Sequence, residues 1–372
     1  MKIRAAVGVT MVAFAFAISA SERPVGVFDS GTGGLTVLER LLTVDVFDNA
    51  SGTRGPDGKP DLASENFVYF GDQANMPYGL YGAKGKTDFL RELIVRDTGF
   101  VLGGEGHAPS KIVVIACNTA TAYGLSAAAE YAKPKGAKVI GVVNAGVEAA
   151  MDALDVKKGM APFAVGVIAT PGTISSGVYE RTLRASLKER GVDCCAIVNR
   201  GGVGLAEAVE NDEPGMKECA RTNFTAMVES YRSSGGKSPL RAVILGCTHY
   251  PFVLSVFKET LGELRRDPKY SALIADDLIF VDPAVYTAVQ CYRSLRADGI
   301  LNAKGPGSPR VKSFMSVGRN GPLPMEVKYG RNAGQKDIGT VIVPMDTNTM
   351  SPDAVRRLAD LLPASSREIF GR

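Results

Sequence analysis

Eight short runs rich in Val, Ile and Phe recur along the chain, and their spacing constrains the fold more than any other feature. They are VGVFDS, NFVYFGD, KIVVIACN, AKVIGVV, FAVGVIAT, CCAIVN, RAVILGCT and LIFVDPA. Each closes in turn chemistry, and most lead into a helical pattern. Such alternation predicts an α/β fold whose parallel sheets are covered on both faces. In open sheets of this kind ligands bind beyond the carboxyl ends of the strands. Asp29, Asp72, Cys117, Thr170, Cys247 and Asp282 all fall at or near such ends. Towards the C-terminus DIGTVIVPM predicts a further strand. SPDAVRRLADLL predicts a helix capped by Ser351, with Pro352 in its first turn.

A chain of 372 residues with 45% hydrophobic and 22% charged content can bury the cores of two domains. Its net charge is only +4, with 43 basic residues interspersed among 39 acidic ones, so nucleic acid is not an expected partner. Lys2 and Arg4 precede the apolar run AAVGVTMVAFAFAISA, which ends at Ala20 before a polar SERP. This pattern predicts a secretory signal over residues 1–20 and hence export to a periplasmic or external location; without a functional signal the location is cytoplasmic. Gly8, Thr10 and Ser19 interrupt the run, so no stable membrane insertion is expected after its removal. Residues 44–66, rich in Gly, Pro, Asp and Asn, read as a solvated loop rather than a calcium loop, because their spacing fits no EF-hand.

Six cysteines in an exported chain would ordinarily suggest disulfides, but these do not sit in a small loop-rich framework. Cys194 and Cys195 are adjacent, Cys219 and Cys291 fall in helical stretches, and Cys117 and Cys247 end apolar runs. The last two share a local design, VVIACNTATA and AVILGCTHYP: apolar residues, one small residue, the cysteine, then small polar ones. A helix beginning just beyond a thiol is expected to lower its pKa. If the chain folds as two similar halves, both thiols face one cleft from opposite sides. That arrangement suits removal of a carbon-bound proton on one face and its return on the other. General acid–base catalysis by each group is worth about 10²- to 10⁴-fold. Asn118, Thr119, Thr248 and His249 follow the cysteines, and FDSGTGGL places Asp29 and Ser30 before a glycine turn where Asp29 can hold an ammonium group.

These residues resemble the aspartate/glutamate racemase family, and within it the glutamate racemases. VGVFDSGTGGLTVL, VYFGDQANMPYG, VVIACNTATA, VGVIATPGTISSGVY and AVILGCTHYPFV stand in the family's order, between about Val25 and Ala284. The resemblance implies two catalytic bases working without pyridoxal phosphate or metal, Cys117 on the D enantiomer and Cys247 on the L. It implies that Asp29 and His249 assist the thiols. Ser30, Pro77, Tyr78, Gly79, Asn118, Thr119, Thr170, Thr173 and Thr248 match substrate-binding positions, and Glu210 in LAEAVEND is the candidate match to a family glutamate. His249 favours glutamate over aspartate, because aspartate racemases resemble a Cys-Thr-Glu pattern there.

Four features depart from the family pattern: Asn144, Ala145 and Gly146 stand where the family has Glu-Pro-Gly, the 44–66 insertion and the tail beyond about Leu301 are unaccounted for, and the signal is unexpected. The family's glutamate racemases serve peptidoglycan synthesis in the cytoplasm, so an exported member is expected to act on a different amino-acid pool. The expected architecture is two Rossmann-like, flavodoxin-like domains in pseudo-twofold relation, with the active site between them. Residues 21–143 and 279–372 form the first, and 144–278 the second. The expected function is cofactor-independent glutamate racemisation, which in this family serves peptidoglycan synthesis. The alternatives are racemisation of aspartate or another amino acid, or an exported protein that binds an amino acid without turnover. The expected partner is a small amino acid, with a homodimer as the candidate assembly.

Overall fold

The computed structural model describes residues 19–103, 106–211, 214–307, 310–335 and 339–371. The expected signal therefore lies almost entirely outside the described residues. Among the described residues ten strands form two sheets. The first contains β1 (Val25–Asp29), β2 (Phe67–Gly71), β3 (Ile112–Ile115), β4 (Lys138–Gly141), β9 (Val311–Gly318) and β10 (Thr340–Pro344), in the order β10-β9-β2-β1-β3-β4. The second contains β5 (Phe163–Ala169), β6 (Cys195–Gly201), β7 (Leu240–Gly246) and β8 (Ile274–Val281), in the order β6-β5-β7-β8. The four strands β2-β1-β3-β4 and the four of the second sheet thus repeat one topology, all pairs parallel.

Burial explains why these strands read as continuous apolar runs. Successive side chains of a strand point to opposite faces, so a sheet covered on both sides needs apolar residues at every position. Val25, Val27, Ile112 and Val114 enter one core cluster, whereas Phe28, Val113 and Ile115 enter the cluster on the other face. In the second sheet Ile168, Val243 and Leu245 face one way and Val165, Val167, Ala242 and Ile244 the other. Helices close both faces, and the helix Pro283–Ala297 returns the chain to the first lobe, with Ala284, Ala288, Cys291 and Leu295 in its core.

The structure adds detail to three expectations. The return to the first lobe at residue 279 falls inside β8, which stays paired to β7 through Val281. The first sheet is not wholly parallel, because β10 runs antiparallel to β9. An antiparallel neighbour needs no helical crossover, and the intervening helix Met325–Gly330 instead buries Tyr329 in the cluster containing Tyr78 and Tyr81. The 44–66 insertion is folded on itself rather than merely solvated. The Asp61 carboxylate accepts the Val46 and Phe47 amides, Asp45 accepts those of Asp57 and Gly58, and Phe47 stacks on Tyr292 with centroids 4.7 Å apart. Among the described residues no helix is long and apolar enough to cross a membrane.

Candidate active site

Both cysteines lie just past the third strand of their own sheet, where the strand order reverses and a crevice opens. Cys117 follows β3 and caps the helix Asn118–Ala132, its Sγ accepting the Ala120 amide at 3.4 Å. The same thiol lies 3.7 Å from the Ser30 hydroxyl, to which it donates. Yet Cys117 is not a low-pKa thiol, contrary to the expectation from its helix. Burial pushes it well above the ordinary thiol range, the Asp29 carboxylate adds to the push, and the Ala120 and Ser30 contacts offset only part of it. One long amide contact does not compensate for lost water and a neighbouring negative charge.

Asp29 ends β1 and is fully buried. Its Oδ2 accepts the Gly34 amide at 2.8 Å, the Gly31 amide at 3.2 Å and, from the other lobe, the Thr248 hydroxyl at 3.5 Å. Its Oδ1 has no protein partner among the described residues. Burial raises the carboxyl above its usual range, against the opposing charge of His249.

Cys247 follows β7, and the chain turns at once so that His249 Nδ1 lies 3.7 Å from its Sγ. The opposite ring nitrogen, Nε2, meets Glu210 Oε2 at 2.6 Å. Glu210 ends the helix Leu205–Glu210 in the second lobe, but its carboxylate also accepts the Thr32 amide at 3.1 Å and hydroxyl at 2.8 Å from the first. Burial disfavours charge on His249, but its bonds to Cys247 and Glu210 win and hold the imidazole well above its usual pKa. Glu210 shows the converse: despite its burial, the His249 and Thr32 contacts bring it down to about 2. Each partner thus favours the charged form of the other.

A single pocket with about 290 Å³ of space not filled by atoms is bordered by Cys117 and Cys247. Ser30, Asn118, Thr119, Thr170, Thr248 and His249 supply its polar lining, and Pro77, Tyr78 and Gly79 its rim. Thr119, Thr170 and Thr173 form a triangle of hydroxyls 2.9–3.0 Å apart that joins the lobes. Two glycines permit the lobes to close this tightly. A Cβ on Gly33 would lie 2.6 Å from the His249 ring, and one on Gly79 would lie 2.7 Å from Thr170 Cβ.

The description Asp/Glu/hydantoin racemase matches residues 98–266. A glutamate racemase from Chlorobaculum tepidum is 30% identical over 76% of this chain and 83% of its own. The chain belongs to the Asp/Glu/hydantoin racemase family. It is an isomerase, an amino-acid racemase whose fold is that of the glutamate racemases. The Bacillus anthracis isoform RacE1 is 26% identical, with a TM-score of 0.55 over 76% of this chain and 85% of that one. A Thermus thermophilus glutamate racemase, solved with beta-chloro-D-alanine, is 30% identical, with a TM-score of 0.51 over 79% and 87%.

Not every expected site residue borders the racemase's pocket. Asp29 lies beneath it, Thr173 lies behind Thr119 and Thr170, and Glu210 reaches it only through His249. Thr32 and Tyr179 escaped the sequence reading. Thr32 sits between two glycines that read as a turn, and Tyr179, whose hydroxyl donates to Asn118 Oδ1 at 2.6 Å, meets a partner 61 residues away in the chain that no local pattern reveals. Gly146, the one residue retained from the family's Glu-Pro-Gly, lets Pro283 approach to 2.9 Å of where its Cβ would stand.

Proposed function

We propose that this racemase interconverts L- and D-glutamate by moving the α-proton between Cys247 and Cys117. The observation carrying the proposal is one thiol beyond the third strand of each sheet, both on one pocket. From L-glutamate, the Cys247 sulfur takes the Cα proton, so a C–H bond breaks and an S–H bond forms. The Cys117 thiol gives its proton to the opposite face of the carbanion and becomes a thiolate. Its raised pKa suits that opening role as acid. His249, charged and 3.7 Å from Cys247 Sγ, opposes negative charge on the reacting groups. In the proposed reaction the substrate ammonium offsets the charge of buried Asp29, whose Oδ1 has no partner among the described residues, and that positive charge relieves the repulsion between Asp29 and the Cys117 thiolate. From D-glutamate the thiols exchange roles.

The hydroxyls and amide of Ser30, Asn118, Thr119, Thr170 and Thr248 suit the two carboxylates of glutamate. The relatives named as glutamate racemases support that substrate, as does His249 in place of a glutamate. The proposed route uses no pyridoxal phosphate, and its product serves cell-wall peptidoglycan in the cytoplasm or, for an exported chain, a different amino-acid pool. The basic and apolar start of the chain supports export as part of the same proposal. The test is to incubate the purified protein, under reducing conditions, with a panel of L and D amino acids and follow them by chiral chromatography. Interconversion of glutamate above all others is expected. Turnover of aspartate alone overturns the substrate, and binding without turnover overturns the enzyme.

A further inference from the structure

The chain beyond Leu301 lies outside the motifs that carry the family resemblance, yet it reaches the site from both lobes. In the first lobe Ser316 of β9 donates to Asp72 Oδ1 at 2.6 Å and accepts the Ala74 amide at 3.0 Å. Tyr329 donates to the Pro77 carbonyl at 3.3 Å. These bonds hold the segment that supplies the pocket rim.

The second grip crosses between the lobes. The helix Pro352–Leu361 buries Val355 and Leu358, Leu358 lying in the core cluster of the first lobe. From that seat Arg357 donates to the Val209 carbonyl at 2.8 Å and the Glu210 carbonyl at 2.9 Å. These carbonyls lie in the last turn of the helix Leu205–Glu210, and an α-helix leaves the carbonyls of its last turn to capping groups. A guanidinium is a rigid planar fork that can hold two acceptors at once, which an ammonium point charge cannot do as precisely in orientation.

We infer that Arg357 is a positioning residue: by tying the carbonyls of Val209 and Glu210 to the first lobe, it fixes the Glu210 carboxylate against Thr32 and His249. The inference rests on the proposed two-thiol reading for its effect on turnover, but not for its effect on His249. The titratable groups facing His249 are Glu210, Cys247 and, across the cleft, Asp29. Loosening Glu210 leaves His249 with burial and less opposing charge, so its pKa falls. The protonated imidazole is then lost at lower pH, and the alkaline limb of kcat moves down with it.

The experiment uses the full chain labelled with ¹⁵N-histidine. The chain has two histidines, so His107→Asn assigns the His249 signal. Signals are titrated in the parent, Arg357→Ala and Arg357→Lys proteins, alongside kcat and KM. Arg357→Ala is expected to lower the His249 midpoint by about one unit. It should reduce kcat about tenfold at alkaline pH with KM nearly unchanged, and Arg357→Lys should restore part of both. A folded Arg357→Ala protein with an unmoved His249 midpoint overturns the inference. If that variant does not fold, Arg357→Lys decides by the same midpoint. A shifted midpoint in a protein that never racemises glutamate overturns the proposed function and leaves this inference standing.

Discussion

The two halves of the site share a backbone plan and differ in charge. Each thiol stands beyond the third strand of a 2-1-3-4 parallel arrangement. Beside Cys117 lies a buried carboxyl group, Asp29; beside Cys247 lies the His249 ring, whose charged form Glu210 favours. Asn118 and Thr119 occupy the places that Thr248 and His249 occupy in the other half. The repeated fold therefore brings one thiol from each sheet to a single pocket, and the side chains around them make the two unequal. A reaction that begins with one base and one acid needs that inequality. Symmetric surroundings would give no reason for one thiol to hold its proton while the other gives it up.

The largest expected effect comes from erasing either half. Cys117→Ser and Cys247→Ser are each expected to lower racemisation of glutamate in both directions by at least about 10³-fold, because a hydroxyl is far less acidic than a thiol. Chiral chromatography on folded protein checks this. Near-parent turnover in either variant breaks the pairing. Next in size is Glu210→Gln, which removes the charge that holds His249 protonated. The variant should lose about 3–5 kcal/mol of stability, the usual cost of breaking a buried pair. The pH dependence has a definite sign. The carboxylate's folded pKa is depressed to about 2, so its contribution is present above the unfolded value of 4.5 and is lost as pH falls towards about 2. His249 has a raised folded pKa, so its contribution is complete below the unfolded value of 6.5 and is lost as pH rises through the folded one. Denaturant melts of parent and variant should therefore differ most between these limits and converge in acid.

Much of this comparison was legible in the sequence, for a physical reason. A strand buried on both faces must be apolar at every position, so β1, β2, β3 and β5, and β7 apart from Arg241, stood out as short runs, whereas the partly exposed β4, β6 and β8 showed only shorter apolar stretches. The strand-end thiols followed from those runs, and so did the Ser351 cap, whose hydroxyl accepts the Ala354 amide. β9 did not stand out, because Lys312, Ser313 and Ser316 break its apolar pattern; the Ser313 and Ser316 hydroxyls are bonded to the Met345 carbonyl and to Asp72. The register of Glu210 was equally hidden, since its partners Thr32 and His249 are far away in the chain. The thiol pKa of Cys117 was misjudged because helix position can be read locally, whereas burial and the proximity of Asp29 cannot.

Two smaller perturbations sharpen the contrast. Asp29→Asn removes the negative charge beside Cys117, so that thiol should alkylate faster with iodoacetamide at fixed pH while KM for glutamate rises about tenfold through loss of the ammonium partner. Unchanged alkylation would mean that burial alone sets the thiol. Gly33→Ala forces a methyl group against the His249 ring and Thr248 Oγ1, at 2.6 and 2.7 Å. The lobes should part slightly, with kcat reduced several-fold and the melting temperature lowered by only a few degrees, about 1 kcal/mol of destabilisation. Activity and melting temperature both equal to the parent's would show that the interlobe contact is dispensable.

The central claim is that one group removes the α-proton and a different group supplies its replacement. Racemisation of protiated L-glutamate in deuterium oxide, stopped at low conversion and resolved into enantiomers by chiral separation and mass spectrometry, tests it most directly. The two-thiol account predicts that the D-glutamate formed carries deuterium at Cα while unreacted L-glutamate retains protium, with the mirror result from D-glutamate. Protium transferred into the product, or deuterium in recovered substrate at the level found in product, would contradict it and point to a single base acting on both faces.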